Sequence, residues 1–206
     1  MDKYKYYSDE EIKQILRKKK KRKSWLRFIA CLLIITLISV EGFYLGRYIG
    51  NKRYEKEIET LNVIHTEVPI VNVAYKQIGN PGGKPFWSWY GFNYRVSWCA
   101  CFVSWCENEC GYIKKNLAPK FAVTSDGANW FKKRGQLLGK KETPDPGDII
   151  YFDWEQDHFN DHVGIVAGVD DEYVYTIEGN SSDLCRVKSY EIGSKVILGY
   201  GQIKWQ

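Results

Sequence analysis

The chain has 206 residues and a mass of 24.1 kDa, which is enough for one domain of ordinary size with additional segments but not for two full domains. Hydrophobic residues make up 44% of it, which excludes a disordered polymer, and six cysteines are too few for a small disulfide-rich scaffold. The net charge is +5, but the positive charge is concentrated near the N-terminus: residues 1–27 hold eleven Lys or Arg and four Asp or Glu. Residues 62–206 hold fifteen Lys or Arg and seventeen Asp or Glu. Residues 62–206 therefore lack the positive excess of a nucleic-acid-binding protein.

The N-terminal part of the chain has the pattern of a membrane anchor. A basic arm, residues 1–24, precedes an uninterrupted apolar run at residues 28–40. A helix over residues 25–46 is long enough to cross a hydrocarbon core of about 30 Å, and aromatic residues lie near both of its ends. The basic cluster before it predicts a cytoplasmic N-terminus and an extracytoplasmic C-terminal part. We therefore predict one transmembrane helix; the alternative is a signal peptide that is cleaved to release a secreted protein.

Residues 47–65 are polar and charged and predict a short stalk, whereas residues 66–206 have the pattern of a globular domain. Apolar residues at helical spacing predict helices at Val68–Ile78 and Cys99–Cys110. Ser125 is the expected cap of a third helix that ends at Arg134. Between the first two helices, Pro and Gly predict a loop, which leads into an aromatic stretch.

After residue 147 the apolar residues follow strand periodicity. The predicted strands are Asp148–Phe152, His162–Val169, Tyr173–Glu178, a weaker one near Cys185–Tyr190, and Val196–Lys204. Helices in the first half and an antiparallel sheet in the second indicate an α+β domain.

A tight turn joins two of these strands into a hairpin. Folding about Asp170 places His162 opposite Glu178 on the same side of the sheet. Asn180 lies two residues beyond Glu178 and projects from the same face. The pattern therefore predicts a general base beside a carboxylate and an amide that can orient it.

Cys99 differs from the other cysteines because it lies at the predicted start of a helix. The free N–H groups of a first helical turn and the helix dipole stabilise a thiolate, and the same N–H groups can stabilise an oxyanion. Together, Cys99 and His162 predict nucleophilic catalysis by a thiol.

Four segments in the same order carry a family resemblance: Ser97–Trp105, Pro146–Phe152, His162–Val166 and Ile177–Asn180. Together they resemble the CHAP domain family, whose name stands for cysteine, histidine-dependent amidohydrolases/peptidases. The resemblance implies a papain-like α+β fold and a peptidoglycan-cleaving activity of the kind found in bacterial and phage wall hydrolases.

Matching the motifs position by position also implies a role for each candidate residue. The resemblance makes Cys99 the nucleophile and His162 the general base. It makes Glu178 the group that orients the base and Asn180 a polar residue that supports the site.

The sequence departs from some relatives at a calcium site. Those relatives bind calcium through an Asp-rich loop before the cysteine, but residues 87–98 contain no Asp or Glu. We therefore predict no metal there and no other cofactor. The segment Asp157–His162 holds two histidines and two aspartates, but it leads from a loop into a strand and gives no fixed ligand geometry, so we assign it to a variable loop near the cleft.

Other features leave alternatives open. Cys106 and Cys110, one helical turn apart, are compatible with packing on a helix face, with a shared zinc ion, or with a disulfide to Cys101 or Cys185. Four aromatic residues either line a substrate groove or belong to the core: Trp87, Trp89, Tyr90 and Trp154.

The sequence therefore predicts a thiol hydrolase, tethered to the bacterial cell membrane by its single helix, that cleaves amide bonds in peptidoglycan as an amidase or endopeptidase. A non-catalytic wall-binding or assembly module with the same fold is the alternative, although such a module would ordinarily have lost Cys99 or His162. A thiol transpeptidase would share every candidate residue and differ only in its acceptor.

Overall fold

The computed structural model describes Gly42 and residues 63–204. The predicted basic arm at residues 1–24, the predicted transmembrane helix apart from Gly42, and the predicted stalk up to residue 62 lie outside the described residues. Within the described part, none of the helices has the length and apolar character needed to cross a membrane.

Four helices with described bounds come first in the compact unit Ile58–Gln206. They are α1 (Pro69–Tyr75), α2 (Lys84–Tyr90), α3 (Cys99–Glu109) and α4 (Thr124–Lys133). A proline lies in the first turn of both α1 and α2, where its fixed φ suits a helix and its missing N–H breaks no hydrogen bond. The three predicted helices correspond to α1, α3 and α4.

Helix α2 has no counterpart in the sequence prediction, because neighbouring glycines and prolines favour a loop. Gly83 is the residue before the helix and has a φ of 59°, a left-handed conformation that favours glycine. A Cβ atom at Gly83 would also overlap the Trp98 side chain. The glycine therefore marks the start of a helix rather than the middle of a loop.

The prediction that Ser125 caps α4 is wrong. The residue before the helix is Val123, and α4 begins at Thr124 without a side-chain capping hydrogen bond. The Thr124 hydroxyl instead donates a hydrogen bond to the backbone carbonyl of Asn160, in the loop that precedes His162.

Within residues 63–204, six strands form one antiparallel sheet in the order β1-β6-β2-β3-β4-β5. They are β1 (Leu137–Gly139), β2 (Ile149–Phe152), β3 (His162–Val169), β4 (Tyr173–Ser181), β5 (Leu184–Glu191) and β6 (Ile197–Gly201). The predicted α+β fold class is therefore confirmed. Strand β1 was not predicted, because its three residues are too few to show strand periodicity in the sequence.

The two faces of the sheet bury different residues. On one face, Tyr151 and Val163 belong to a core cluster that includes Phe102 of α3. On the other face, Ile150 and Phe152 alternate with them along the chain and form a second cluster. Helix α3 contacts both β3 and β4, so the helix is held against the hairpin.

The register of the β3–β4 hairpin differs from the prediction by two residues. Ile165 pairs with Ile177, and an irregularity between Val166 and Gly168 shifts the register further toward the turn. Glu178 therefore reaches His162 diagonally across the ladder and not from the directly opposite position. A shift of two residues preserves the face on which a side chain lies, so the predicted pairing of the two side chains survives.

The residues just before α1 pack against the sheet. Ile64 is buried in the core, and the His65 N–H donates a hydrogen bond of 2.9 Å to the Ala167 carbonyl. Gly168 leaves the space that the Val63 backbone occupies. The packed domain therefore includes residues 63–65.

Candidate active site

Cys99 is the first residue of α3 and is 5% exposed. The Trp98 carbonyl accepts the first hydrogen bond of the helix, from the Phe102 N–H. The N–H groups of Cys99, Ala100 and Cys101 precede this bond, so they belong to the first turn, whose donors have no partner within the helix. The predicted position of the thiol at a helix N-terminus is therefore observed.

The segment before Cys99 is fixed to the turn between β4 and β5. Trp98 is fully buried, and its indole N–H donates to Asp183 Oδ1 at 3.3 Å. Arg95 Nη2 lies 2.6 Å from the same oxygen. The carboxylate of Asp183 therefore joins the segment before α3 to the hairpin that carries Glu178.

His162 is the first residue of β3 and lies between Cys99 and Glu178. Its Nε2 is 3.0 Å from Glu178 Oε2, and the Cys99 side chain is close enough to the imidazole to affect its titration. Burial lowers the pKa of His162, but the hydrogen bonds with Cys99 and Glu178 and their negative charges outweigh it and raise the pKa to about 9.

Glu178 is 1% exposed, and both of its carboxylate oxygens have hydrogen-bond partners. The Oε2 atom of Glu178 is 3.0 Å from His162 Nε2. The Thr176 and Tyr190 hydroxyls donate to Oε1 at 2.7 Å and 2.8 Å. A buried carboxyl group normally has such partners, because burying a polar group without hydrogen bonds is costly.

Two glycines leave the space that brings Glu178 to its partners. A Cβ atom at Gly164 would lie 2.8 Å from Glu178 Cγ, in the path by which the side chain leans toward His162. A Cβ atom at Gly179 would lie 2.5 Å from Phe102 Cβ of α3. Both glycines therefore allow close approach, Gly164 between neighbouring strands and Gly179 between β4 and α3.

Aromatic rings surround the His162 imidazole. The rings of Phe152 and Trp154 stack with centroids 4.9 Å apart, and they lie 5.8 Å and 6.1 Å from the imidazole. Tyr190 lies 4.7 Å from the Phe152 ring. These rings cover part of the imidazole, whose side chain is 12% exposed.

A cavity of about 230 Å³ opens beside the imidazole. Its lining residues are Trp154, His162, Glu178, Asn180, Ser181, Lys188 and Tyr190. Asn180, the fourth predicted site residue, thus lies in the cavity wall, with a φ of 62° at the end of β4. A larger cavity of about 360 Å³ lies at the opposite end of β2, against Asp148 and Tyr112, and it has no cysteine or histidine in its wall. The smaller cavity is therefore the candidate substrate site.

Sequence reasoning missed Thr176 and Tyr190. Thr176 is two residues before Glu178 in β4, so strand alternation places it on the same face. Tyr190 pairs with Val174, which is on that face as well. The alternation was a usable signal, but the pairing of β4 with β5 was needed to bring in Tyr190.

The other described cysteines are free thiols in or beside the core. Burial raises the pKa of Cys101 and Cys110 to about 11 and that of Cys185 to about 12, and it raises the pKa of Cys106 well above its usual value. Such thiols are poor nucleophiles at neutral pH. Among the residues that the structure describes, no group of three or more His, Cys, Asp or Glu side chains is placed to hold a metal ion.

The four aromatic residues that the sequence assigned either to a substrate groove or to the core do not lie together. Trp154 is 40% exposed at the cavity and packs against His162. Trp89 and Tyr90 lie instead around the Lys120 ammonium, 4.7 Å and 4.8 Å from it. Trp87 donates its indole N–H to the Gly82 carbonyl. Trp154 is therefore the aromatic residue of the four that lines the candidate site.

Comparison with solved structures found a distant similarity. The chain is similar to a Staphylococcus aureus subsp. aureus Mu50 protein described as similar to a lipoprotein of the NLP/P60 family, with 15% sequence identity and a TM-score of 0.38. The similarity covers 67% of this chain and 41% of that one, so this chain spans about two fifths of its length. The search of curated proteins gave no match.

Comparison with protein families was informative. The model of the CHAP domain family matches residues 89–180. The matched segment runs from within α2 to β4, and all four predicted site residues lie inside it. The combination of a helix-start cysteine with a histidine and a glutamate on adjacent strands agrees with this match. Over residues 89–180, the chain is therefore similar to the CHAP domain family.

Proposed function

We propose that this protein is a thiol hydrolase that cleaves amide bonds in bacterial peptidoglycan, with Cys99 as the nucleophile, His162 as the general base and acid, and Glu178 as the residue that positions His162. We further propose that residues 25–46 tether it to the membrane, so that a papain-like domain acts outside the cytoplasm. A secreted protein released by signal cleavage is the alternative for its location.

The observation that carries the proposal is the position of His162, whose Nε2 lies 3.0 Å from the buried Glu178 carboxylate and whose titration is also affected by the Cys99 thiol at the start of α3. A thiol needs a base to become a nucleophile, and a base needs a third group to fix its orientation. Here the imidazole has a thiol on one side and a buried carboxylate on the other, which supports a catalytic role.

In the proposed first step, the Cys99 proton moves to His162, and the resulting imidazolium is stabilised by Glu178. The thiolate sulfur attacks the amide carbonyl carbon, and the carbonyl oxygen becomes an oxyanion. The N–H groups in the first turn of α3 point toward this end of the helix and can donate to the oxyanion.

In the second step, His162 gives its proton to the leaving amine as the C–N bond breaks, which leaves a thioester on Cys99. His162 then takes a proton from a water molecule that attacks the thioester. The new carboxylic acid leaves, and the proton returns from His162 to the Cys99 sulfur. Each proton therefore passes through one imidazole, whose raised pKa favours the protonated form that the leaving amine requires.

The family match supports peptidoglycan as the substrate class. Its amide bonds include the link between muramic acid and the stem peptide, cleaved by amidases, and the bonds within stems and cross-bridges, cleaved by endopeptidases. The same three residues serve either reaction, and the choice depends on the groups that hold the substrate.

The direct test incubates the full-length protein with purified peptidoglycan and identifies released fragments by mass spectrometry. We expect fragments from the wild type, whose masses identify the bond, and none from Cys99→Ala. Cys101→Ala is the matched control, because it removes a buried thiol two residues along the same helix and should retain activity.

Two outcomes would count against the proposal. Equal cleavage by wild type and Cys99→Ala would exclude the thiol mechanism. Binding to peptidoglycan without cleavage by either protein, together with slow and uniform alkylation of all cysteines, would favour the wall-binding module.

A further inference from the structure

Strand β5 places two cations on the face of the sheet that carries the candidate site. Lys188 pairs with Thr176 and Arg186 pairs with Glu178 in the β4–β5 ladder. Directly paired residues project from the same face, so both cations accompany the Glu178 side chain. Lys188 also lines the cavity beside His162.

Neither cation has a counter-ion among residues 63–204. The ion pairs in this part of the chain join other residues, and Arg186 Nε is buried without a hydrogen-bond partner. The acidic groups at this end of the hairpin are engaged elsewhere. Glu178 bonds with His162 and two hydroxyls, and Asp183 pairs with Arg95.

The rest of the cavity wall offers uncharged polar and aromatic groups. Asn180 and Ser181 supply an amide and a hydroxyl, and Trp154 and Tyr190 supply rings. The cavity wall therefore contains the ammonium group of Lys188, and its only acidic side chain, Glu178, is already hydrogen-bonded to other groups. A buried, unpaired guanidinium nitrogen on the same face adds further positive potential.

We propose that Lys188, supported by Arg186, forms a subsite for a carboxylate of the substrate close to the amide that is cleaved. A carboxylate in the cavity supplies the counter-ion that Lys188 lacks, and it enters from solvent without displacing an existing ion pair, while Arg186 adds positive potential from the same face. The inference rests on the proposed function and adds to it that the substrate is an anionic peptide, with a free carboxylate near the scissile bond.

The first test uses two forms of one substrate. Purified peptidoglycan is compared with the same material after carbodiimide coupling to ammonia, which converts free carboxylates to carboxamides. For the full-length wild type, we expect cleavage of the carboxylate form to be faster by up to about fivefold, the upper end of the range for one solvent-accessible ion pair. Lys188→Gln should lower this preference toward one, and Lys188→Arg should restore it. Lys133→Gln, an exposed lysine of α4, is the matched control and should keep the wild-type preference.

The second test does not depend on peptidoglycan cleavage. Iodoacetate and iodoacetamide both alkylate a thiolate with loss of iodide, but only iodoacetate carries a carboxylate. We expect Lys188→Gln to lower the ratio of the Cys99 alkylation rates, iodoacetate over iodoacetamide, by about threefold at low salt, while Lys133→Gln leaves the ratio unchanged.

The two tests separate the subsite from the reaction. A change in the alkylation ratio without cleavage of any peptidoglycan would support the carboxylate subsite and refute the proposed function. If peptidoglycan is cleaved but Lys188→Gln changes neither the preference for the carboxylate form nor the alkylation ratio, the subsite is wrong and the proposed function still stands.

Discussion

Glu178 and Glu107 are both buried carboxyl groups, 1% and 0% exposed, but their surroundings differ. Glu178 on β4 bonds with His162 and accepts hydrogen bonds from two hydroxyls. Glu107 lies on α3, the helix that begins with Cys99, and neither of its oxygens has a hydrogen-bond partner among the described residues. Burial raises the pKa of Glu107 well above its usual value.

The difference shows that burial alone does not make a carboxyl group functional. A charge in the interior requires donors, and a carboxyl group without donors takes up a proton instead. Glu178 is hydrogen-bonded to the imidazole of His162, the proposed general base, whereas Glu107 has no such partner among the described residues. We therefore expect the same residue type, at nearly the same exposure, to position the base in one place and to have no part in the reaction in the other.

The strongest test of this comparison makes one substitution at both positions. We expect Glu178→Gln to reduce kcat/KM for peptidoglycan cleavage by at least about 100-fold, because the imidazolium loses its charged partner. Glu107→Gln should leave kcat/KM within about twofold, because a neutral amide replaces a neutral carboxyl group. Initial rates of fragment release would measure both effects, with circular dichroism to establish that each variant is folded. Similar losses in the two variants would remove the distinction.

Much of the arrangement around Glu178 was predictable from the sequence. Alternation along two strands joined by a short turn put His162 and Glu178 on one face, and helical periodicity put Cys99 at a helix start. Both patterns tolerate the observed two-residue change in register, because the side-chain period in a strand is two.

The features of the site that the sequence did not predict depend on contacts between residues that are distant in the sequence. Tyr190 reaches Glu178 only because β5 pairs with β4, and the weak strand signal near residue 185 did not specify that register. Gly164 and Gly179 are recognisable as close-approach positions only when their neighbours in space are known. Glu107 has the polar residue type of a solvated helix face, yet α3 is buried along most of its length.

The titration of His162 is the next test, because its pKa depends on Glu178 and not on Glu107. The folded-state pKa of about 9 lies above the usual 6.5. The folding free energy contributed by the protonated imidazole is therefore fully present below pH 6.5 and is lost as the pH rises through 9. We expect kcat/KM to fall by about tenfold per pH unit above 9. In NMR titrations, Glu178→Gln should move the His162 midpoint to lower pH, and Glu107→Gln should leave it in place. A midpoint that moves in both variants or in neither would contradict this account.

The smallest expected effect is the contribution of Glu107 to stability as a function of pH. Its folded-state pKa is raised, so the native state holds a proton that the unfolded state releases above its pKa of about 4.3. The stability that Glu107 contributes is therefore complete below this pH and decreases as the pH rises toward the folded-state pKa, by up to about 1.4 kcal/mol per pH unit. Glu107→Gln cannot release a proton, so we expect the variant to be more stable than the wild type at pH 7 and similar to it near pH 4.

Urea unfolding at several pH values, followed by tryptophan fluorescence, would measure the divergence. Glu109→Gln is the matched control, because Glu109 is exposed on the same helix and its substitution should shift the curve without changing its slope. If the wild type and Glu107→Gln keep a constant difference from pH 4 to pH 8, then Glu107 is charged or hydrogen-bonded in the folded protein. In that case the contrast with Glu178 would rest on the identity of their partners and not on the presence of donors.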